Sequence, residues 1–187
     1  MKIDTVILSS NDNPDYIQFW PIVSEAWTLM GVEPILLYTG EQKLNLKGNV
    51  INFYSKNIDS SFVAQNIRIL YPSLLDGNTC LVSDIDNLPL SKKYFINSVL
   101  DYENDSFIIY RPDACPPNMI SMMWNAANSS TWKEIFNIDS ERNIEKYLKK
   151  WYTKKYAIEG KAWYTDQIKL RKYVNKFSKK NKSRIVE

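Results

Sequence analysis

Short apolar runs alternate along the chain with longer segments in which apolar residues recur every three or four positions. The short runs predict buried strands, at 5–8, 34–38, 50–53, 79–82 and 106–110. The longer segments predict helices, at 16–30, 59–75, 91–102, 131–136, 141–156 and 165–177. The β-α-β opening favours a parallel sheet. We therefore predict an α/β fold, with one domain over residues 1–187, a mixed and mainly parallel central sheet, and helices on both faces.

Helix signals refine three of these boundaries. Asn13 is predicted to cap the first helix, with Pro14 at its first position. Pro21 lies inside the same helical pattern and predicts a kink or a broken first turn. Thr165 is the predicted N-cap of the last helix.

Two carboxylates directly follow the predicted strand 79–82. Asp84 and Asp86 stand in the segment VSDIDNLPL, where Asn87 and Pro89 end the strand. Open α/β sheets bind ligands beyond the carboxyl ends of their strands, and residues two apart in a strand point to the same side, with Cα atoms roughly 6.5 Å apart. Both carboxylates can therefore converge on one Mg²⁺ or Mn²⁺, whose open positions substrate phosphates usually fill. The alternative is a pair of acids that cap a solvent-exposed loop.

Composition excludes several classes of enzyme. The chain has no histidine, which removes Ser-His-Asp and Cys-His catalysis, His-ligated zinc and a histidine general base. Its five glycines match neither the G-x-G-x-x-G fingerprint nor the P-loop pattern. Acid–base chemistry therefore falls to Asp, Glu, Lys or Tyr.

The compartment is predicted from cysteines and apolar segments. Cys80 and Cys115 are too few for a disulfide framework and favour a reducing compartment. The chain has no run of 18 apolar residues, so no membrane span is predicted. The N-terminal segment lacks an apolar core long enough for a signal peptide. We expect a cytoplasmic protein.

The segment VSDIDNLPL resembles the D-x-D segment of GT-A glycosyltransferases, in which an apolar strand leads into D-x-D and a small apolar–Pro turn. A narrower resemblance is to the compact GT-A domains of large DNA viruses of the chlorella type, which would place the protein in the host cytoplasm. In GT-A enzymes this motif holds a divalent metal against the diphosphate of a nucleotide sugar. The resemblance implies that Asp84 and Asp86 bind Mn²⁺ or Mg²⁺, that Asp84 also contacts the donor, and that the donor is a UDP-sugar.

Other segments extend the resemblance over most of the chain. Ser9, Ser10 and Asn11 follow the first strand, where GT-A enzymes hold the base and ribose; the alternative is a turn into the next helix. Arg68 lies in QNIRILYPSLL, which is similar to the helix before the D-x-D strand. It is a candidate contact to phosphate or uracil, and the alternative is a solvent-facing helix charge.

The segment MISMMWNAA, at 119–127, resembles the strand that runs beside the sugar in GT-A folds. On that reading Trp124 offers an aromatic platform to the donor or acceptor sugar, and Asn125 offers a paired donor and acceptor for hydroxyls. The alternative is a core strand with one incidental asparagine.

The stretch W-Y-T-D-Q resembles the late D-Q or D-E step of GT-A enzymes. In inverting members an acid at this place is the general base, which implies that Asp166 deprotonates the acceptor and that Gln167 contacts the donor. The alternative is an acid in the first turn of a helix, favoured by the helix dipole. Many GT-A enzymes use a C-terminal histidine as third metal ligand, and this chain has none.

The C-terminal segment 165–187 is basic, although the whole chain carries a net charge of only +3. In GT-A folds such residues can clamp the pyrophosphate. The alternatives are binding of nucleic acid, binding of a membrane surface, or continuation into a further domain of a longer chain.

The sequence thus predicts a metal-dependent, inverting glycosyltransferase of the hexosyl- or pentosyltransferase class. Its partners would be a nucleotide-sugar donor and a glycan or glycoprotein acceptor, with no nucleic acid. Nucleotidyltransferases and metal-dependent phosphohydrolases also place acids at strand ends and stay open as alternatives. A non-enzymatic alternative is an α/β module that binds nucleic acid through its basic C-terminal helix.

Overall fold

Seven strands form one mixed sheet through the centre of the protein, in a computed structural model that describes residues 1–187. The strand order is β3-β2-β1-β4-β6-β5-β7. The neighbours β3, β2, β1 and β4 are parallel, β6 is antiparallel to both β4 and β5, and β7 is parallel to β5. The strands are β1 Thr5–Ser10, β2 Glu33–Tyr38, β3 Asn49–Asn52, β4 Thr79–Val82, β5 Phe107–Ile109, β6 Asn125–Asn128 and β7 Ile185–Val186.

Helices cover both faces of the sheet, which confirms the predicted α/β fold. They are α1 Pro14–Ile17, α2 Trp20–Leu29, α3 Ser60–Leu70, α4 Lys92–Phe95, α5 Ser129–Phe136, α6 Glu141–Trp151 and α7 Thr165–Ser178. Single 3-10 turns follow α3, α4 and α7, at Tyr71–Leu74, Asn97–Val99 and Lys182–Arg184. None of the helices combines the length and the apolar run that a bilayer crossing requires.

Alternate residues of the central strands supply two separate cores. On β1, Ile7 belongs to the larger core, while Val6 and Leu8 belong to the smaller one. The larger core takes its helical side chains from α3, α5, α6 and α7, and the smaller core takes them from α1, α2 and α4. Successive side chains of a strand point to opposite faces of the sheet, and helices cover both faces here. Residues on both faces of a central strand are therefore buried, which explains the continuous apolar runs.

Prolines shorten two of the predicted helices. The segment predicted as one helix at 16–30 is split, with α1 ending at Ile17 and α2 beginning at Trp20. Pro21 lacks an N–H and would clash with the carbonyl of Ile17, so a helix cannot continue through it. Pro72 ends α3 in the same way, before the predicted boundary at 75. The predicted cap is confirmed, since Asn13 accepts a hydrogen bond from the N–H of Asp15 with Pro14 at the first position.

Three further predictions of local structure are wrong. The predicted helix 91–102 is reduced to α4 and one 3-10 turn, where the Ser98 hydroxyl bonds the carbonyl of Tyr94 and competes with the regular pattern. Only the end of 119–127 is a strand, because Trp124 has a left-handed backbone with φ 68°. Thr165 is not the N-cap of α7: it is the first helical residue after Tyr164, and its hydroxyl donates to the carbonyl of Ala162 at 2.6 Å.

The α3 N-cap generates a stability prediction. Asp59 accepts hydrogen bonds from the N–H groups of Ser61, at 2.8 Å, and Phe62, at 3.4 Å. We expect Asp59→Ala to lower the free energy of unfolding by about 1 kcal/mol, because two N–H groups of the first turn lose their acceptor. Asp59→Asn retains an acceptor and is expected to restore most of the loss in urea denaturation. Equal losses in both variants would show that the cap does not stabilise α3.

Candidate active site

A cavity of about 310 Å³ opens beyond the carboxyl ends of β1 and β4, between α3 and the start of α7. Its volume is at the lower end of the range for small-molecule sites. The charged residues that line it are Arg68, Asp84, Asp86 and Asp166. Three carboxylates and one guanidinium leave a formal charge of −2, so the cavity suits a divalent cation.

Arg68 joins two of these carboxylates across three elements. From α3 it donates through Nη1 to Asp84 Oδ1, after β4, and through Nη2 to Asp166 Oδ2, on α7, at 2.9 Å. Its Nε donates to the carbonyl of Gln65 at 3.1 Å. The Arg68 side chain is 9% exposed and that of Asp166 is 2% exposed. The alternative of a solvent-facing helix charge at Arg68 is therefore wrong.

The pKa shifts of the buried pair follow from this geometry. Burial acts to lower the pKa of Arg68, but the charges of Asp84 and Asp166 outweigh it and raise the pKa above its ordinary value. Burial raises the pKa of Asp166, and the Arg68 guanidinium and the N–H of Gln167 counter this only in part. Gln167 N donates to Asp166 Oδ1 at 2.8 Å, so both carboxylate oxygens of Asp166 have a donor.

Asp86 lies exposed at the cavity mouth, and no Lys or Arg nitrogen approaches it within 4 Å. The surrounding chain partly removes water from its carboxylate, and the negative charge of Asp84 adds to the effect, so the pKa of Asp86 is raised. A cation bound to both carboxylates would relieve that repulsion. The chain has no cluster of three or more Asp, Glu or Cys side chains that could hold a metal alone. Water and a ligand would have to complete the coordination of such an ion.

The end of β1 and the residue that follows it form the polar wall of the cavity. Ser9, Ser10 and Asn11 all line it. The Ser9 hydroxyl donates to the carbonyl of Ala64 at 2.6 Å, and Asn11 Nδ2 donates to the hydroxyls of two serines at the start of α3, each at 3.0 Å. These bonds fix the end of β1 and Asn11 against α3, which also carries Arg68.

Trp124 and Asn125 lie outside the cavity lining. Trp124 packs edge-on against Phe95, with ring centroids 4.8 Å apart. Asn125 is fully buried, and its Nδ2 donates to the carbonyl of Ser121 at 2.7 Å. Two methionines earlier in the same segment line the cavity instead: Met122 and Met123.

Sequence reasoning missed the loop between α6 and α7, which contributes Ile158 and Trp163 to the cavity. Trp163 stacks on Tyr156 with ring centroids 6.2 Å apart, and the Tyr156 hydroxyl donates to Gln65 Oε1 of α3 at 3.0 Å. The stretch W-Y-T-D-Q contained a signal for Trp163, because it stands three residues before Asp166. Gln167 lines the cavity, as predicted. Tyr16, Gln65 and Asn87 also line it, without an evident sequence signal.

No protein-family profile and no curated protein sequence matches this chain. Among solved structures, the glycosyltransferase GlyE of Streptococcus pneumoniae TIGR4 is similar over 96% of this chain and 44% of its own, with 11% identity and a TM-score of 0.50. The galactosyltransferase LgtC, solved with donor and acceptor sugar analogs, is similar over 78% of this chain and 65% of its own, with 14% identity and a TM-score of 0.46. The LgtC active-site mutant Q189E is similar over 76% of this chain and 64% of its own, with 13% identity and a TM-score of 0.46. This chain thus spans less than two thirds of each of these proteins. The likeness to GlyE concerns the fold, and it agrees with the predicted GT-A type of α/β domain.

The ion-pair geometry predicts the stability of Arg68 variants. Arg68→Met is expected to lower the free energy of unfolding by about 3–5 kcal/mol at neutral pH, because it leaves Asp166 buried and without a cation. The deficit relative to the unmodified protein should shrink on acidification, as Asp166 takes up a proton and the uncompensated charge disappears. Denaturant titrations over a pH series measure both effects.

Arg111→Met serves as the matched control for Arg68→Met. Arg111 pairs with Asp113 at 3.4 Å, but both side chains are exposed, at 40% and 77%. The control should cost less than about 1 kcal/mol, as is usual for surface pairs. If Arg68→Met costs no more than this control, the buried ion pairs do not hold α3, β4 and α7 together.

Proposed function

We propose that this protein is a glycosyltransferase that moves a sugar from a UDP-linked donor to a hydroxyl of a glycan or glycoprotein acceptor, with inversion at the anomeric carbon. The observation that carries the proposal is the cavity at the carboxyl ends of β1 and β4. Its charged side chains sum to a formal charge of −2, and polar and apolar residues line the rest of it. Open α/β folds bind ligands at this edge. The resemblance of VSDIDNLPL to the D-x-D segment supports the uridine donor, and the fold likeness to GlyE agrees with this assignment.

Asp84 and Asp86 would hold the divalent cation, Mn²⁺ or Mg²⁺. Their hard oxygen ligands and the formal charge of the cavity suit such an ion. When bound, the ion would neutralise the negative charge that develops on the leaving diphosphate. The absence of a third protein ligand leaves coordination positions for the diphosphate oxygens and water.

Arg68 supplies the protein's own positive charge at the same place. Its guanidinium already contacts Asp84 and Asp166, so it lies between the proposed metal ligand and the proposed base. We propose that it also contacts a phosphate of the donor, since a guanidinium matches phosphate oxygens geometrically. Ser9, Ser10 and Asn11 would hold the base and ribose, and Gln167 would contact the donor sugar.

Asp166 acts as the general base in this proposal. It takes the proton of the acceptor hydroxyl while that oxygen forms a bond to the anomeric carbon, and the bond from this carbon to the diphosphate oxygen breaks. The hydrogen bonds from Arg68 and from the N–H of Gln167 hold the carboxylate in one orientation. Ile158, Met123 and Trp163 form an apolar wall that suits the C–H face of a sugar ring.

Donor and metal binding can be tested by thermal denaturation. UDP together with Mn²⁺, at about 100 times the dissociation constant, should stabilise the protein by about 2.7 kcal/mol, or roughly 5–10 °C. Asp86→Ala should abolish the shift, because it removes the carboxylate that has no cation of its own. Asp76→Ala is the matched control, since Asp76 is an exposed acid just before the opposite end of β4. A shift that persists in Asp86→Ala without metal would contradict the proposed cation site.

The role of Asp166 can be tested by turnover. Asp166→Asn should leave UDP binding intact and lower turnover at least ~100-fold, because the amide cannot take the acceptor proton. In the unmodified protein kcat/KM should fall on acidification with a midpoint above the ordinary value of 3.8, since burial raises the pKa of Asp166 and the base works only when deprotonated. The control Glu141→Gln removes another acid from the first turn of a helix, α6, without touching the cavity. Turnover of Asp166→Asn close to that of the control would exclude Asp166 as the base.

A further inference from the structure

Charge is distributed very unevenly along this chain. Residues 146–182 hold thirteen Lys or Arg and two acids, a net charge of +11, while the whole chain carries +3. One of the two acids, Asp166, is buried against Arg68 and does not reach the surface. The exposed side of α6, α7 and the loop between them is therefore strongly positive.

Five lysines on these two helices define what we call the lysine face: Lys146 and Lys150 of α6 with Lys169, Lys172 and Lys176 of α7. The two helices touch near the end of α6, where the rings of Trp151 and Tyr173 are 5.9 Å apart and Lys169 Nζ lies 5.8 Å from the centre of the Trp151 ring. Burial and the nearby charges of Lys172 and Lys150 lower the pKa of Lys169, as expected for amines that lie close together. No carboxylate lies within 4 Å of any of the five amines.

Exposed apolar side chains border the lysine face on the side of the cavity. Tyr164 and Ile168 are spaced four residues apart, with Lys172 four residues further along α7. Their exposed fractions are 51% and 41%, and that of Ile158 at the cavity mouth is 54%. Apolar groups beside uncompensated amines are the pattern of a surface that lies at the boundary between lipid headgroups and acyl chains.

We propose that the lysine face and its apolar border dock on an anionic lipid bilayer. Lysine stems can extend along such a surface while their amines reach the phosphates, and the apolar border can enter the interface. A nucleic acid fits less well, because its recognition favours arginine. Arg171 is the single arginine of the segment, and its guanidinium is already bonded to the carbonyl of Met119 and to Glu187.

This docking would place the cavity mouth at the bilayer. Ile158 and Trp163 line the cavity and belong to the same loop as Tyr164. An acceptor that enters there would be a glycan carried on a lipid or on a membrane-anchored protein. This assignment of the acceptor rests on the proposed function, whereas the docking itself does not.

Vesicle co-sedimentation, without nucleotide or metal, tests the docking. The unmodified protein should sediment with vesicles of phosphatidylcholine and phosphatidylglycerol, should not sediment with phosphatidylcholine alone, and should be released by high salt. Replacing the five lysines by glutamine should weaken the partition at least ~100-fold, since each lysine near an anionic surface adds to the attraction for the lipid phosphates. The matched control replaces five exposed lysines elsewhere by glutamine, which gives the same net charge: Lys2, Lys43, Lys47, Lys92 and Lys93.

Two further measurements test the role of the apolar border and the alternative that the lysine face binds nucleic acid. Ile168→Ser should weaken vesicle binding severalfold, and it leaves every lysine in place if the five-lysine variant does not fold. A labelled single-stranded oligonucleotide at the same salt should bind more weakly than the anionic vesicles and should not respond to Ile168→Ser. Equal losses in the two five-lysine variants, indifference to phosphatidylglycerol, or preference for the oligonucleotide would each overturn the proposal. The thermal shift with UDP and Mn²⁺ is scored separately, so failure of donor binding and failure of docking are distinguishable.

Discussion

Two hydrogen bonds of the Arg68 guanidinium, one to Asp84 and one to Asp166, organise the end of the molecule that holds the cavity. A buried guanidinium requires partners because an isolated charge in a low-dielectric interior is very unfavourable. Here the partners come from different parts of the chain, 16 and 98 residues away from Arg68. The cost of burying the charge therefore enforces the approach of α3, the end of β4 and the start of α7. The cavity exists between these elements because they meet around one cation.

Sharing one cation between two carboxylates also sets the chemistry of the cavity. Arg68 partly compensates Asp84 and Asp166, and Asp86 stays without a Lys or Arg partner. A resident metal would therefore meet one carboxylate that is free and another that already accepts from a guanidinium. In that arrangement the proposed base Asp166 and the proposed metal ligand Asp84 would be coupled, because both accept a hydrogen bond from Arg68. Their individual contributions should not be additive.

The sequence predicted the central strands and the edge that carries the site, but not every side chain at that edge. β1, β2 and β4 were readable because both faces of the sheet are covered, which produces unbroken apolar runs. Local pattern and resemblance predict Asp84, Asp86 and Arg68 as site residues, but they do not predict the pairing of Arg68 with Asp84, since an ion pair across 16 residues leaves no periodic signal. Trp124 and Asn125 were placed beside the sugar on the assumption of a strand over 119–127. The left-handed backbone of Trp124 instead turns that segment so that Met122 and Met123 reach the cavity.

The position of Asp166 near the end of the chain has a consequence for biosynthesis. The four parallel strands are complete once residue 82 has been made, and Arg68 is then already part of the nascent chain. At ribosomal speeds of 5–20 residues per second, Asp166 follows roughly 4–17 seconds later. Throughout that interval Asp84 is the only one of the two acids available to Arg68, so the link from Arg68 to α7 cannot yet form. The emerging protein therefore passes through a stage in which its four parallel strands are complete but one side of the cavity is still missing.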